Sequence, residues 1–108
     1  RKKFPPQEYN VQAKNTPEEV YAVFRQALLK NDIEGALAQI SEQNREEYRQ
    51  AFSNKEKFDK WVKGLPEKIG NIIIKDNFAH YYWDKNDGFE HTIDFVKNSE
   101  GYWQIDQI

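Results

Sequence analysis

The stretch "NFAHYYWDKNDGFEHTIDF", Asn77–Phe95, decides the fold. Phe78, Tyr81, Tyr82 and Trp83 fall in one extended-looking run, and successive strand side chains leave on opposite faces. The aromatics must therefore be divided between two faces. Register decides the division. "Asn86-Asp87-Gly88" reads as a three-residue hairpin loop, a type I turn closed by a Gly in the left-handed region. It pairs Lys85 with Phe89, which sets Trp83 opposite His91, Tyr81 opposite Ile93 and Ala79 opposite Phe95. "Ser99-Glu100-Gly101" has the same form; it sets Phe95 opposite Ile105 and Lys97 opposite Trp103. A two-residue turn at Asp76-Asn77 pairs Ile74 with Ala79, Ile72 with Tyr81 and Gly70 with Trp83.

Working outward, this register predicts four antiparallel strands near Lys68–Lys75, Phe78–Asp84, Phe89–Lys97 and Tyr102–Gln107. One face carries Ile72, Ile74, Tyr81, Trp83, His91, Ile93, Phe95, Trp103 and Ile105, a core composition. The other carries Ile73, Lys75, Phe78, His80, Tyr82, Thr92, Asp94, Val96, Tyr102, Gln104 and Asp106. Cross-strand pairs on that second face make chemical sense: His80 with Asp94, Tyr82 with Thr92, Phe78 with Val96. A one-residue slip would split the apolar set between the faces.

The residues before Leu65-Pro66 follow a helical period. "Thr16-Pro17-Glu18-Glu19" is a capping box with Pro at the first helical position. Val20, Phe24, Ala27 and Leu28 form one stripe behind it, closed by Lys30-Asn31. Asp32 caps a short helix with Ile33, Ala36, Leu37 and Ile40 on its buried side. Ser41 is read as the cap of a third helix carrying Tyr48 and Phe52. Asn54 starts a fourth with Phe58, Trp61 and Val62 on one face and Gly64 at its end. A sheet with one apolar face and helices with apolar stripes must cover each other. The expected class is α+β, N-terminal helices packed on one face of a four-stranded antiparallel sheet, with residues 1–15 an extended leader and residues 16–108 a single domain.

Composition limits the functional classes. The chain has 108 residues, one domain's worth, with a net charge of -2 and charges of both signs interspersed. That argues against nucleic acid as the main partner, which needs a basic patch to displace counterions. There are no cysteines, hence no disulfides and no thiolate metal site. No apolar run approaches the ~20 residues that span a bilayer. With Arg1-Lys2-Lys3 at its start and no Met, the sequence reads as a piece of a longer protein, any membrane tether lying upstream.

The segments "TPEEVYAVFRQALLKNDIEGAL", "SEQNREEYRQAF" and "GYWQIDQI", in that order, resemble the nuclear-transport-factor-2-like (cystatin-like) superfamily, and within it small bacterial extracytoplasmic domains. The resemblance covers about Asn15 to Ile108. It implies a cone with helices on the concave side of the sheet, a cavity at the wide end and, in many members, dimerisation through the convex face. It also implies a location outside the cytoplasm, membrane-anchored in the full-length protein. Superfamily members include isomerases and dehydratases beside non-catalytic binding modules, so the fold transfers no activity by itself.

Two candidate sites follow. The first is the wet sheet face, with Phe78, His80, Tyr82, Thr92, Tyr102 and Gln104 as contact residues. Tyr, Phe and His among hydrogen-bonding neighbours suit protein contact, and a protein partner or a second copy is expected there. The second is a small-ligand pocket between helices and sheet, built on Trp61, Tyr81, Trp83 and His91. His91 is its one readily titratable group, and no carboxylate is expected inside, so a non-catalytic role is favoured over isomerase-like or dehydratase-like chemistry. Two His on opposite faces lack the ligand count of a zinc site, and no glycine-rich phosphate loop is present; no cofactor or metal is expected.

Overall fold

The Thr16 capping box forms as its spacing requires: Thr16 Oγ1 accepts from the Glu19 N–H at 3.1 Å, and Glu19 Oε1 accepts from the Thr16 N–H at 2.8 Å. It opens α1, Pro17–Leu29. The computed structural model describes residues 12–84 and 88–108, apart from the side chains of Asp84 and Glu90. After α1, Asn31 adopts a left-handed φ of 62°, and Asp32 caps α2, Ile33–Leu37, by accepting from the Gly35 N–H. Then come α3, Glu42–Ala51, and α4, Lys55–Lys63, the latter capped by the Asn54 side chain on the Lys57 N–H.

Four strands follow: β1 Ile73–Lys75, β2 Phe78–Asp84, β3 Glu90–Lys97 and β4 Trp103–Gln107, in the spatial order β1-β2-β3-β4. The register is the one the turns dictate. Trp83 pairs with His91, Tyr81 with Ile93, Ala79 with Phe95, Phe95 with Ile105 and Lys97 with Trp103. Gly101 holds φ 96° and Gly88 φ 83°, values a side chain would resist, so a glycine at each turn is a backbone requirement. Residues 85–87 lie outside the described part, and with them the expected Lys85–Phe89 pair.

The core lies between the helices and one sheet face. α1 contributes Val20, Phe24, Ala27 and Leu28 as expected, and also Pro17 and Tyr21. The sheet contributes Ala79, Ile93, Phe95, Trp103 and Ile105, all buried. Each such Ile or Phe side chain removed from water is worth about 1.5–3 kcal/mol. Tyr21 stays polar at its tip: its hydroxyl donates to the Pro66 carbonyl, and burial raises its pKa, opposed in part by the Arg25 charge.

Four local expectations are corrected. β1 is shorter than read, because Asn71 takes a left-handed φ of 53° and turns the chain before Ile72; Gly70 is therefore unpaired and does not lie across from Trp83, and the ladder does not reach Ile72 and Tyr81. Ile74 has core parity but is 56% exposed, since β1 makes substantial contact only with β2 and no helix covers it. Ser41 makes no side-chain cap on α3; its hydroxyl donates to Asp106 Oδ1 at 3.2 Å instead. Asp106 does not lie on the outer face. A bulge pairs Asp94 with Gln107 while Phe95 pairs with Ile105, so Asp106 drops out of the ladder. Its carboxylate accepts from Asn44 at 3.0 Å, beside the start of α3.

The outer edge of β4 is closed by other parts of the chain. The Trp103 N–H donates to Asn15 Oδ1 at 2.6 Å, and Asn15 Nδ2 donates to the Trp103 carbonyl at 3.3 Å. The Ile105 N–H donates to the Gln39 carbonyl at 2.8 Å, and the Ser41 N–H donates to the Ile105 carbonyl at 2.7 Å. Farther on, the Ile108 N–H donates to the Tyr48 hydroxyl at 2.9 Å. α3 has no fully buried residue and is held largely by such polar ties. Arg45 spans the Leu37 and Ile40 carbonyls, and Arg49 pairs with Glu34 and Glu46.

Candidate functional site: an aromatic sheet face and a tryptophan-lined pocket

The face of the sheet turned from the helices keeps large apolar groups in water. Phe78 is 48% exposed, Tyr82 52% and Tyr102 44%, and Ile73 on the same face is 56% exposed. Strand alternation puts them there, and the pairing aligns them in rows. Lys75, Phe78, Val96 and Gln104 form one row across all four strands; Ile73, His80 and Asp94 form the next; Tyr82 and Thr92 form a third. His80 Nδ1 lies 2.8 Å from Asp94 Oδ1, so the ring donates through Nδ1 and Nε2 is the nitrogen left for a partner. The His80 and Tyr82 rings are 6.4 Å apart. At the β4 side, Lys14 Nζ stands 5.2 Å from the Tyr102 ring centroid and the Lys14 N–H donates to the Gly101 carbonyl, so the chain before α1 borders this face. All six expected contact residues, Phe78, His80, Tyr82, Thr92, Tyr102 and Gln104, are at least partly accessible.

The pocket residues also converge, with one difference. Trp61 of α4, Trp83 of β2 and His91 of β3 line a cavity of about 310 Å³, closed by Gly64, Leu65 and Ile108, with Thr92 at its border. Tyr81 does not line it. It stacks on Trp83 instead, centroids 6.5 Å apart and planes 15° from parallel. Across the strand pair, the Trp83 and His91 rings are 5.2 Å apart. Trp83 Nε1 is buried and, among the described residues, has no hydrogen-bond partner. The cavity's described lining holds no Asp or Glu side chain, and among the described residues no three His, Asp or Glu groups gather as metal ligands.

Sequence reasoning missed a third feature. A groove of about 490 Å³ between α3 and α4 is lined by Tyr48, Phe52, Phe58 and Trp61, with Lys57 at its side. The Phe52 ring sits 5.1 Å from Phe58 and 5.4 Å from Trp61. The signal was present as aromatics spaced four apart on α3 and three apart on α4. Both read equally as core, and only the incomplete burial of Tyr48 and Trp61 reveals the opening. Among the described residues no helix is long and apolar enough to cross a membrane. No protein-family model, no curated protein and no solved structure matches the chain.

Proposed function

We propose that this domain is a binding and assembly module that presents the helix-free face of its sheet to a protein, a second copy being the simplest partner. The observation that carries this is the set of exposed Ile73, Phe78, Tyr82 and Tyr102 on one face, around the His80–Asp94 pair. Large apolar groups gathered on one face and flanked by polar ones mark an interaction surface, whereas single exposed apolar residues need no explanation. Tyrosine is well suited to such a surface, because it brings contact area and a hydroxyl at little cost in lost rotamers. The resemblance to nuclear-transport-factor-2-like extracytoplasmic domains agrees with such a role and extends the proposal to a module outside the cytoplasm, tethered through upstream residues.

The test is the solution mass of the 108-residue chain. Sedimentation equilibrium is expected to give a concentration-dependent shift from 12.9 kDa upward. Tyr82→Glu, which places a charge on this face beside His80 at a half-exposed position, is expected to remove the association carried by that face while leaving the circular dichroism unchanged. Association untouched by Tyr82→Glu and by Phe78→Glu excludes the face as its site.

A second reading rests on the unpartnered Trp83 Nε1 beside the 310 Å³ cavity. A small ring-bearing ligand with a hydrogen-bond acceptor would meet the mutually tilted indole and imidazole rings and the stranded donor. A soluble aromatic carboxylate probe such as indole acetate is expected to perturb Trp83 and His91 resonances together; shifts spread elsewhere argue against the pocket.

A further inference from the structure

Only Phe52, Ser53 and Asn54 join α3 to α4, yet the two helices diverge from that link and barely touch each other. The wedge between them is the groove of about 490 Å³. Phe52 and Phe58, 8% and 6% exposed, form its floor, and the half-buried Tyr48 and Trp61 form its walls. Those walls are pinned from behind. The Tyr48 hydroxyl accepts from the Ile108 N–H at 2.9 Å and donates to the Ile108 carbonyl at 3.4 Å. Trp61 meets the fully buried Phe24 ring edge to face, centroids 6.2 Å apart. Neither wall can swing inward to fill the wedge without giving up these contacts, so the groove stays open.

Its chemistry is as one-sided as its shape. The described lining holds no Asp or Glu side chain, and Lys57 is the one charged residue in it. The acids nearest Lys57 in α4 lie outside the lining, and Asp59 stands 3.6 Å from Lys55 Nζ. Gln50 and Asn54 add side-chain amides beside Lys57. Asn54 Oδ1 is taken by the Lys57 N–H, which leaves the Asn54 amide nitrogen as a donor. The Phe52 ring is inclined at 66° to Phe58 and 41° to Trp61, so a flat guest meets both faces and edges.

We propose that this groove binds a small aromatic anion, its ring held among Tyr48, Phe52, Phe58 and Trp61 and its carboxylate or similar group at Lys57. Size and closure select a small molecule. Ligand sites of that kind enclose about 300–1,000 Å³, and the groove falls inside the range. Phe52 and Asn54 of the link close one end, so a partner helix or strand has no path through, whereas a short guest enters from the open side. The lining selects a ring over an acyl chain, because paired aromatics gain more than their area burial alone. Charge selects the anion. A cation would gain attraction from the ring faces, but it would sit beside Lys57 with no lining carboxylate to offset the repulsion. The site is separate from the sheet face proposed above, and it shares only Trp61 with the Trp83 cavity.

The probe is 2-naphthoate, titrated into the 108-residue chain and followed through its amide and indole resonances. Saturation is expected with a Kd at or below ~1 mM, a modest yield per atom for so small a guest. Shifts should centre on Tyr48, Ala51, Lys57 and Phe58 and leave Trp83 and His91 in place; the reverse pattern puts the guest in the other cavity and overturns the proposal. Neutral 2-naphthamide is expected to bind about 3-fold more weakly, the effect of one exposed charge pair, and benzyltrimethylammonium more weakly still. Lys57→Met keeps the stem, removes the charge and should erase the preference for naphthoate over the amide. Ala51→Trp, at an exposed position of the lining, fills the groove from its rim. It is expected to weaken naphthoate at least ~10-fold with the circular dichroism unchanged. Naphthoate that does not saturate, or that is indifferent to Ala51→Trp, overturns the site. Binding no tighter than the amide, a preference that survives Lys57→Met, or tightest binding by the ammonium probe overturns the assignment to an anion.

Discussion

Asn15 lies 88 positions from Trp103 in the chain, and its one side chain closes both backbone groups of that residue. Consider Asn15→Ala. The substitution strands the Trp103 N–H, whose bond at 2.6 Å is the shorter of the pair, and removes the partner of the Trp103 carbonyl at 3.3 Å. Trp103 is only 5% exposed, so water reaches its N–H poorly. A buried donor left without a partner costs about 1–3 kcal/mol, and the longer bond to the carbonyl adds about 0.5 kcal/mol. The expected loss is therefore about 1.5–3.5 kcal/mol, a large share of the ~5–15 kcal/mol that holds a domain together. With a urea m-value of about 1–2 kcal/mol/M, the unfolding midpoint falls by roughly 1–3 M at unchanged slope. Asn15→Asp keeps an acceptor for the N–H but sets its second oxygen against the Trp103 carbonyl, so it falls between alanine and wild type. Urea titration followed by circular dichroism measures all three, and exchange of the Trp103 amide localises the effect. A loss under ~0.5 kcal/mol for Asn15→Ala, with the Trp103 amide as protected as before, would refute the view that this side chain seals the edge.

Two further outcomes follow from buried polar groups. Tyr21→Phe deletes the bond to the Pro66 carbonyl and should cost about 1–2 kcal/mol near neutral pH. Burial raises the folded-state pKa of Tyr21 above the ~10 of an unfolded tyrosine, so its contribution is full below that value and is lost as pH rises through the folded one. The wild-type chain should accordingly lose stability above pH ~10 more steeply than Tyr21→Phe, as thermal melts across pH 8–11 will show; parallel slopes contradict the assignment. Trp83→Phe removes the stranded Nε1–H as well as ring area. Roughly 1 kcal/mol of lost burial is offset by relief of a comparable desolvation cost, so urea unfolding should place it within about 1 kcal/mol of wild type; a loss above ~2 kcal/mol means the indole donor is satisfied after all.

Much of the fold was legible because turn chemistry and parity are local properties. Gly88 and Gly101 fixed two registers through their φ, and Asp76, with φ 56°, fixed the third. Once register is set, alternation alone sends Phe95 and Trp103 under the helices and Tyr82 and Tyr102 away from them. What alternation cannot report is how far the helical layer extends. Ile74 and Ile93 share a face by register, yet one is exposed and the other buried, because α1 packs over β4 and leaves β1 bare. Ser41 reads as a cap from its neighbours, but the bulge at Asp106 offers it a carboxylate that no nearby residue foretells. The same limit applies to the pocket. Trp61, Trp83 and His91 meet because α4 packs against the turn end of the β2–β3 hairpin, whereas Tyr81, two residues from Trp83 on the same face, stands behind it as a stacking support.

Edge protection ties these features together. Three separate segments, around Asn15, Gln39–Ser41 and Tyr48, share hydrogen bonds with the β4 side and the chain's last residues, and each lies far from β4 in sequence. Closing such contacts carries a loop-entropy cost that grows only slowly with loop length, so distant residues can form the seal almost as readily as near ones. No comparable segment among those described reaches β1, which hangs on β2 through a two-residue turn and a three-residue ladder. Local opening should therefore begin at β1 and reach β4 last, since the free energy of opening follows the number of buried and bonded neighbours. The loosest strand is also the one whose backbone and isoleucines face solvent, and Ile73 makes it continuous with the aromatic face.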